Sequence, residues 1–257
     1  MMIVRAPQLR AFEASAYDEF VEEMTAYLRR FSPALHGTLG DDRMRAIVHD
    51  GMAYAARYGF TRRGPLRLFL ELMLLFGSRF DEDPQYPWAG EVLHDPAFPN
   101  EMYRAGRLEH LAKTYLDQVH GPNDERASAA LQRLEARARD LVFREHTIRR
   151  DIEDAFAQIF PEKAEHVGPL ATSKVIDLAL AKGESAFGQG EVRGPGVLAI
   201  LMFSFGAGCL DDPLLPWMGA TLSNPHNDTG RRRAEALERK SMLWLKAVNA
   251  RRAASAN

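Results

Sequence analysis

Apolar residues recur along this sequence with the 3.6-residue period of amphipathic helices, and no stretch alternates with period two for long enough to predict a strand. The two most apolar segments, residues 64–77 and 194–206, carry hydrophobic side chains around nearly their whole helical circumference. A helix that is apolar on every face lies at the centre of a fold. The pattern therefore predicts an all-α protein with two buried central helices.

One motif occurs twice, 129 residues apart, which is the separation of Phe76 from Phe205. Nine of 21 positions are identical without a gap between residues 76–96 and 205–225, where about one or two would match by chance. The motif reads Asp-Pro-x-x-Pro-Trp, and its members are Asp83, Pro84, Pro87 and Trp88 in the first copy and Asp212, Pro213, Pro216 and Trp217 in the second. Such a repeat predicts a tandem duplication of a roughly five-helix unit, with halves related by a pseudo-twofold axis.

Further helices are expected around the two central ones. One spans about residues 8–31, and others follow the capping candidates Asp41 and Asp42 in the first copy and Thr172 and Ser173 in the second. No proline or glycine occurs from residue 124 to 160, which predicts a single connecting helix of up to 37 residues. The expected organisation is a first helical repeat (residues 1–120), a linker with the start of the connecting helix (121–135) and a second helical repeat (136–257).

The bulk composition indicates a protein without a dominant charge. It has 257 residues and a net charge of -2, so no global field would attract nucleic acid or an anionic membrane. The N-terminus lacks the features of a secretion signal, and we expect a cytoplasmic protein. The single cysteine, Cys209, occupies the position of Phe80 in the repeat, which predicts a buried, inert thiol.

Acidic residues flank both copies of the motif and suggest two interpretations. Asp81 and Asp83 in one copy and Asp211 and Asp212 in the other could supply oxygen ligands to a hard cation. The favoured interpretation is structural: the aspartate accepts backbone N–H bonds at the turn, and the tryptophan anchors the following helix. The eight histidines form no metal-binding motif, and no nucleophile elbow or phosphate loop occurs. We predict no catalytic residue and no cofactor.

Charged side chains offer candidate sites for a protein partner. An acidic partner could dock on a basic stripe along the connecting helix, although a solvated face is the favoured interpretation of the stripe. A cluster near the first central helix is the second candidate, although an ion pair at the helix rim in contact with solvent is the favoured interpretation. The candidate residues are Arg62, Arg63, Arg67 and Glu71 at the central helix, and Arg126, Arg133, Arg137 and Arg144 on the connecting helix. Arg231 to Arg233, at the start of the last helix, leave nucleic-acid binding open as an alternative.

The first copy resembles a group of helical accessory proteins encoded beside type VI secretion spike, adaptor and toxin genes in Gram-negative bacteria. The resemblance lies in Tyr58-Gly59, residues 72–77 (LMLLFG) and residues 80–89 (FDEDPQYPWA). The second half looks like a diverged copy, with Leu210 where the first has Asp81. The resemblance implies an immunity protein, chaperone or adaptor that binds a secreted effector, and it carries over no catalytic residue.

These observations favour a non-enzymatic protein that binds another protein, with self-association left open. The alternatives are a metal-dependent hydrolase that joins the two acidic turns, and a helical nucleic-acid-binding protein.

Overall fold

The computed structural model describes residues 6–255, with side chains described for residues 15–250 and for Arg252. These residues form twelve α-helices, one short 3-10 helix at Pro122–Asp124 and no strand, which confirms the all-α class. The helices are α1 (Ala6–Phe31), α2 (Pro33–Leu39), α3 (Asp41–Ala56), α4 (Arg63–Phe76), α5 (Pro87–His94), α6 (Glu101–Val119), α7 (Glu125–Arg137), α8 (Ile148–Ile159), α9 (Pro161–Phe187), α10 (Arg193–Phe205), α11 (Pro216–Leu222) and α12 (Gly230–Ser255).

Two hydrophobic clusters form the interior, one in each half of the protein. The first gathers buried residues of α1 to α6 together with Leu214, and the second gathers buried residues of α7 to α12. The central helices are α4 and α10. Every residue from Gly194 to Phe203 in α10 is buried, as the pattern predicts. Helix α4 is less enclosed than predicted, because Arg67 and Leu75 are exposed, Leu75 by 40%.

The predicted 37-residue connecting helix is wrong. Helix α7 ends at Arg137, and α8 begins at Ile148 after a non-helical segment. Within this segment Phe143 is buried directly against α10, where a Cβ added to Gly196 would come within 2.4 Å of the Phe143 ring. Burial of a phenylalanine stabilises the protein by about 2 kcal/mol, which exceeds the helix preference of any single residue in this segment.

The expected helix starts also need correction. Neither Asp41 nor Asp42 caps α3, because Gly40 holds the N-cap position and has no side chain with which to do so. Thr172 lies inside α9, and its hydroxyl donates to the Gly168 carbonyl at 2.8 Å. A short helix that periodicity did not predict, α2, precedes Gly40. The expectation of five helices in the first half is therefore one too low.

The two halves contain similar backbone breaks. Gly40 (φ 78°, ψ 169°) separates α2 from α3, and Gly168 (φ 76°, ψ 172°) divides α9 into two segments. The glycines that follow the central helices, Gly77 (φ 98°, ψ 155°) and Gly206 (φ 100°, ψ 149°), also have backbone dihedral angles similar to each other. An origin of the halves by duplication stays a prediction, but their equivalent positions can be compared directly.

Among the described residues, none of the helices combines the length and apolar character that crossing a bilayer requires.

Candidate functional site

The repeated motif builds the contact between the halves. The Asp83 carboxylate accepts the backbone N–H of Ala207 at 2.6 Å, and Asp212 accepts the backbone N–H of Ser78 at 2.8 Å and its hydroxyl at 2.6 Å. Ser78 and Ala207 occupy equivalent positions, as do the two aspartates. Each half therefore supplies a carboxylate to the turn that follows the other half's central helix.

Each aspartate also stabilises its own turn. Asp83 accepts the N–H of Gln85 and Asp212 accepts the N–H of Leu214, both at 2.9 Å. The Gln85 side chain extends the contact by donating to the Met202 carbonyl of α10 at 3.1 Å. Both aspartates are buried, so these hydrogen bonds satisfy carboxylates that are removed from water.

The prolines and tryptophans of the motif fix the helices that follow. Pro87 and Pro216 are the first residues of α5 and α11, a position where proline is well tolerated. Pro84 and Pro213 immediately follow the aspartates within the turns. Trp88 packs edge-on against Phe76, with ring centroids 5.8 Å apart. The indole N–H groups of Trp88 and Trp217 are buried without a hydrogen-bond partner among the described residues, so packing holds these rings.

The carboxylates proposed as a metal site are engaged elsewhere. Asp83 and Asp212 accept the backbone bonds described above, and Asp211 pairs with Lys182 at 3.1 Å on the surface. Asp81 accepts the hydroxyl of Tyr54 at 2.6 Å and that of Tyr58. Within the described part of the protein, no three His, Cys, Asp or Glu side chains are arranged to hold a metal ion. The geometry therefore gives the hydrolase alternative no support.

A buried lysine lies beside this contact. The Lys163 ammonium donates to the Phe203 carbonyl near the end of α10 and lies over the rings of Phe203 and Tyr86, at 5.0 and 5.7 Å from their centroids. Burial lowers the pKa of Lys163 to about 8, opposed by the charge of Asp83. Burial likewise raises the pKa of Asp83, against its backbone hydrogen bonds and Lys163.

One side of the contact between the halves is covered by the first segment of α9. His166 packs edge-on against Tyr115 of α6, with ring centroids 5.1 Å apart. Tyr86 and Tyr115 are consequently only 3% and 2% exposed. This contact joins α6 to the first segment of α9.

The opposite side is open. The residues 129 positions after Tyr86 and Tyr115 are Leu215 and Trp244, and both line a cavity of about 450 Å³. We call this cavity the interhalf groove. It lies between α2, α4, α10, α11 and α12, and its apolar lining includes Leu35, Leu74, Leu75, Leu215, Trp217 and Trp244.

Smaller side chains account for the open side. Leucine at position 215 fills less space than tyrosine at position 86. The matching breaks at Gly40 and Gly168 are 128 positions apart, so Lys163 and His166 of α9 correspond to Leu35 and Thr38 of α2, whose side chains are shorter. Helix α2 therefore leaves uncovered the space that the first segment of α9 closes on the other side.

A second cavity of about 180 Å³ adjoins the groove, and its lining includes one lysine and two arginines among apolar side chains. We call it the cationic cavity. Its charged or titratable lining residues are His120, Arg126, Glu162, Lys163 and Arg252. Arg126 is the one member of the predicted basic stripe that lines it. Neither Lys163 nor Arg252 carries a signal in the sequence, because the cavity forms only when α7, α9 and α12 pack together.

The remaining members of the predicted stripe contact neighbouring parts of the same protein. Arg133 pairs with Glu162 at 2.8 Å, Arg137 donates to Gln158 at 2.8 Å, and Arg144 pairs with Asp151 at 3.1 Å. Arg144 lies beyond the end of α7, so a continuous stripe on one helix does not exist. The four arginines therefore do not form a docking strip on a single helix.

The basic cluster at the first central helix ties neighbouring elements together. Arg67 pairs with Glu71 at 2.9 Å. Both residues also contact Tyr27 of α1. The Arg67 guanidinium lies 3.9 Å from the centroid of the Tyr27 ring, and the Tyr27 hydroxyl donates to the Glu71 carboxylate at 2.6 Å. Arg62 lies 3.3 Å from Glu101, and Arg63 pairs with Glu23. These contacts join α4 to α1 and α6.

Two further expectations concern Cys209 and the arginines at the start of α12. Cys209 is fully buried, and burial raises the pKa of its thiol, as expected for an inert core cysteine. Arg231 pairs with Glu235 at 3.0 Å and Arg232 with Asp228 at 2.7 Å. Arg233 donates to backbone carbonyls, including that of Ala186. Intramolecular contacts thus engage all three arginines.

A scan against protein-family models gives no match for this protein, and comparison with curated proteins and with solved structures likewise finds none.

Proposed function

We propose that this protein is a non-enzymatic accessory factor that binds a segment of another protein in the interhalf groove. The observation that carries the proposal is the asymmetry of the contact between the halves. Helix α9 covers one side, whereas the equivalent side leaves an apolar groove of about 450 Å³ open. Trp217 and Trp244 line the groove, and tryptophan is among the residues that contribute most to binding energy at protein interfaces.

The lining favours binding over chemistry. Asp212 is the single charged residue of the groove, and its two oxygens accept hydrogen bonds from Ser78 and Leu214. A general acid or base needs a titratable group within reach of its substrate, and this carboxylate is committed to the backbone. Leu75, by contrast, is an exposed apolar side chain that adjoins Leu74 and Trp217 in the groove lining, and a contiguous apolar patch of this kind is typical of a protein interaction site.

The resemblance of residues 72–77 and 80–89 to accessory proteins of type VI secretion loci suggests the partner's class. In the proposed role the protein acts in the cytoplasm of a toxin-delivering bacterium and holds a secreted effector. It does so as an immunity protein, a chaperone or an adaptor. These three roles share the binding step that the groove provides.

Binding of identified partners tests the proposal. The products of the genes adjacent to its own are purified and titrated by calorimetry against the wild type, Leu75→Glu and Leu243→Glu. Leu75 lines the groove, whereas Leu243 is 64% exposed on α12 and does not line it. We expect one product to bind the wild type and Leu243→Glu equally and Leu75→Glu about tenfold or more weakly, a loss of about 1.4 kcal/mol or more. Equal binding to all three proteins would refute the groove as the site.

A further inference from the structure

The interhalf groove and the cationic cavity form one binding surface. Ser204, Phe205 and Trp244 line both of them. The Phe205 and Trp244 rings meet edge-on, with centroids 4.8 Å apart, and make the wall between the two. A ligand that covers this wall contacts an apolar surface on one side and a cationic surface on the other.

The cations of the cavity are directed at neutral oxygens of the same protein. Arg126 donates to the Gln118 carbonyl at 2.7 Å, Arg252 to the Ser128 hydroxyl and Lys163 to the Phe203 carbonyl. The one acid in the lining, Glu162, is paired with Arg133 at 2.8 Å. His120 contacts Asp124 at 3.1 Å, and burial lowers its pKa. The lining therefore carries an excess of positive charge.

From this juxtaposition we infer that the partner segment carries apolar side chains for the interhalf groove, followed by a carboxylate for the cationic cavity. The inference rests on the proposed function, which it deepens by assigning the chemistry of the partner. The carboxylate is that of an aspartate, of a glutamate or of the partner's C-terminal residue.

The physical basis is charge complementarity in a site from which water is partly excluded. Arginine binds carboxylates through two parallel hydrogen bonds, and charge-assisted bonds are roughly twice as strong as neutral ones. Lys163 is buried with aromatic rings around it, so an incoming anion would offset part of the cost of burying its charge. A cationic segment would meet like charge and be rejected.

Selection from a random peptide library tests the inference with defined probes. The library is panned in parallel against the wild type, Leu75→Glu, the double variant Arg126→Glu/Arg252→Glu, and the control Arg107→Glu/Arg239→Glu. The control makes the same charge change on α6 and α12 at exposed residues that line neither cavity. Circular dichroism verifies that each variant is folded. The affinities of enriched peptides are then measured by fluorescence anisotropy.

We expect the enriched peptides to combine a cluster of apolar residues with aspartate, glutamate or a free C-terminus at a fixed distance. Their affinity should fall about tenfold or more in Leu75→Glu and in the Arg126/Arg252 variant, and stay unchanged in the control. Panning against the Arg126/Arg252 variant should enrich lysine and arginine instead.

The contrary outcomes separate the two claims. Peptides that depend on Leu75 but carry no acid, or that bind the Arg126/Arg252 variant as well as the wild type, would overturn the inference and leave the proposed function standing. An absence of Leu75-dependent peptides would overturn both. A wild-type dimer in analytical ultracentrifugation that Leu75→Glu dissociates would identify a second copy of this protein as the occupant, and this too would overturn the inference.

Discussion

Asp83 accepts a hydrogen bond from the backbone N–H of Ala207, 124 residues further along the sequence, at 2.6 Å. Asp212 makes the reciprocal bond to Ser78. The most specific motif in the sequence thus joins the two halves, because these bonds hold the C-terminal end of α4 against that of α10. The groove lies on the side of this contact that α9 does not cover.

Replacement of Asp83 tests the importance of this contact for stability. Asp83→Ala leaves the buried N–H groups of Ala207 and Gln85 without their acceptor and removes the opposite charge that acts on Lys163. We expect the free energy of unfolding to fall by about 2 to 4 kcal/mol, as measured by urea denaturation.

Asp211→Ala is the matched control for this experiment. Asp211 is an exposed aspartate next to Asp212 whose ion pair with Lys182 lies at the surface, so its replacement should change stability by no more than about 0.5 kcal/mol. Similar losses for Asp83→Ala and Asp211→Ala would show that the interhalf hydrogen bonds contribute little.

The close approach of the central helices makes a second prediction. Gly77 and Gly206 both have positive φ. A Cβ added to Gly77 would lie 3.1 Å from the carbonyl oxygen of Phe205, and one added to Gly206 would lie 2.9 Å from that of Phe76. Gly77→Ala and Gly206→Ala should each destabilise the protein by about 2 kcal/mol, through backbone strain and the displaced carbonyl. Thermal unfolding monitored by circular dichroism measures the effect.

Gly106→Ala provides the contrast. Gly106 lies within α6, and a Cβ there would meet nothing within 4 Å, so alanine should stabilise the protein by about 1 kcal/mol through helix propensity. If the substitutions at Gly77 and Gly206 are as harmless as the one at Gly106, the halves do not approach as closely as described.

The burial of Lys163 predicts a pH dependence of stability. Its pKa is about 8 in the folded protein, against an ordinary value of 10.5. Between pH 8 and 10.5 the lysine is more fully protonated in the unfolded state than in the folded state. Its contribution to the free energy of unfolding therefore rises with pH over this range. The cost of burying the charge is largest below the folded-state pKa. We expect the stability of the wild type relative to Lys163→Met to rise by up to about 3 kcal/mol across this range.

Comparison with Lys163→Met isolates the lysine from other groups. Burial raises the pKa values of Tyr86 and Tyr115. Above about pH 10 these tyrosines ionise in the unfolded state first, so their contribution to the free energy of unfolding falls. The fall is the same in the wild type and in Lys163→Met. Urea denaturation at several pH values gives the two curves. Parallel curves between pH 8 and 10.5 would contradict the described burial of Lys163.

The sequence predicted the elements whose signal is local. The apolar circumference of residues 64–77 and 194–206 located α4 and α10, and glycine at positions 77 and 206 marked their ends. The connecting helix failed because the burial of Phe143 against Gly196 depends on a contact 53 residues away in the sequence (196 − 143), which no local pattern contains.

The candidate site was less accessible to sequence reasoning than the fold. Trp217 belongs to the repeated motif, but its position in the groove depends on how α2 and α12 stand apart. The sequence pattern places Arg126 in a basic stripe, whereas its neighbours in the cavity, Lys163 and Arg252, come from helices distant in sequence. The asymmetry between covered and open sides arises from packing between the halves, and the repeat alone predicts only their equivalence.

The central claim is that the interhalf groove binds a protein partner. Its most direct test is the affinity of an adjacent gene product for the wild type and Leu75→Glu, measured side by side by isothermal titration calorimetry with Leu243→Glu as control. We expect about tenfold or greater weakening in Leu75→Glu alone. Equal affinity for all three proteins, or binding by none of the adjacent gene products, would contradict it.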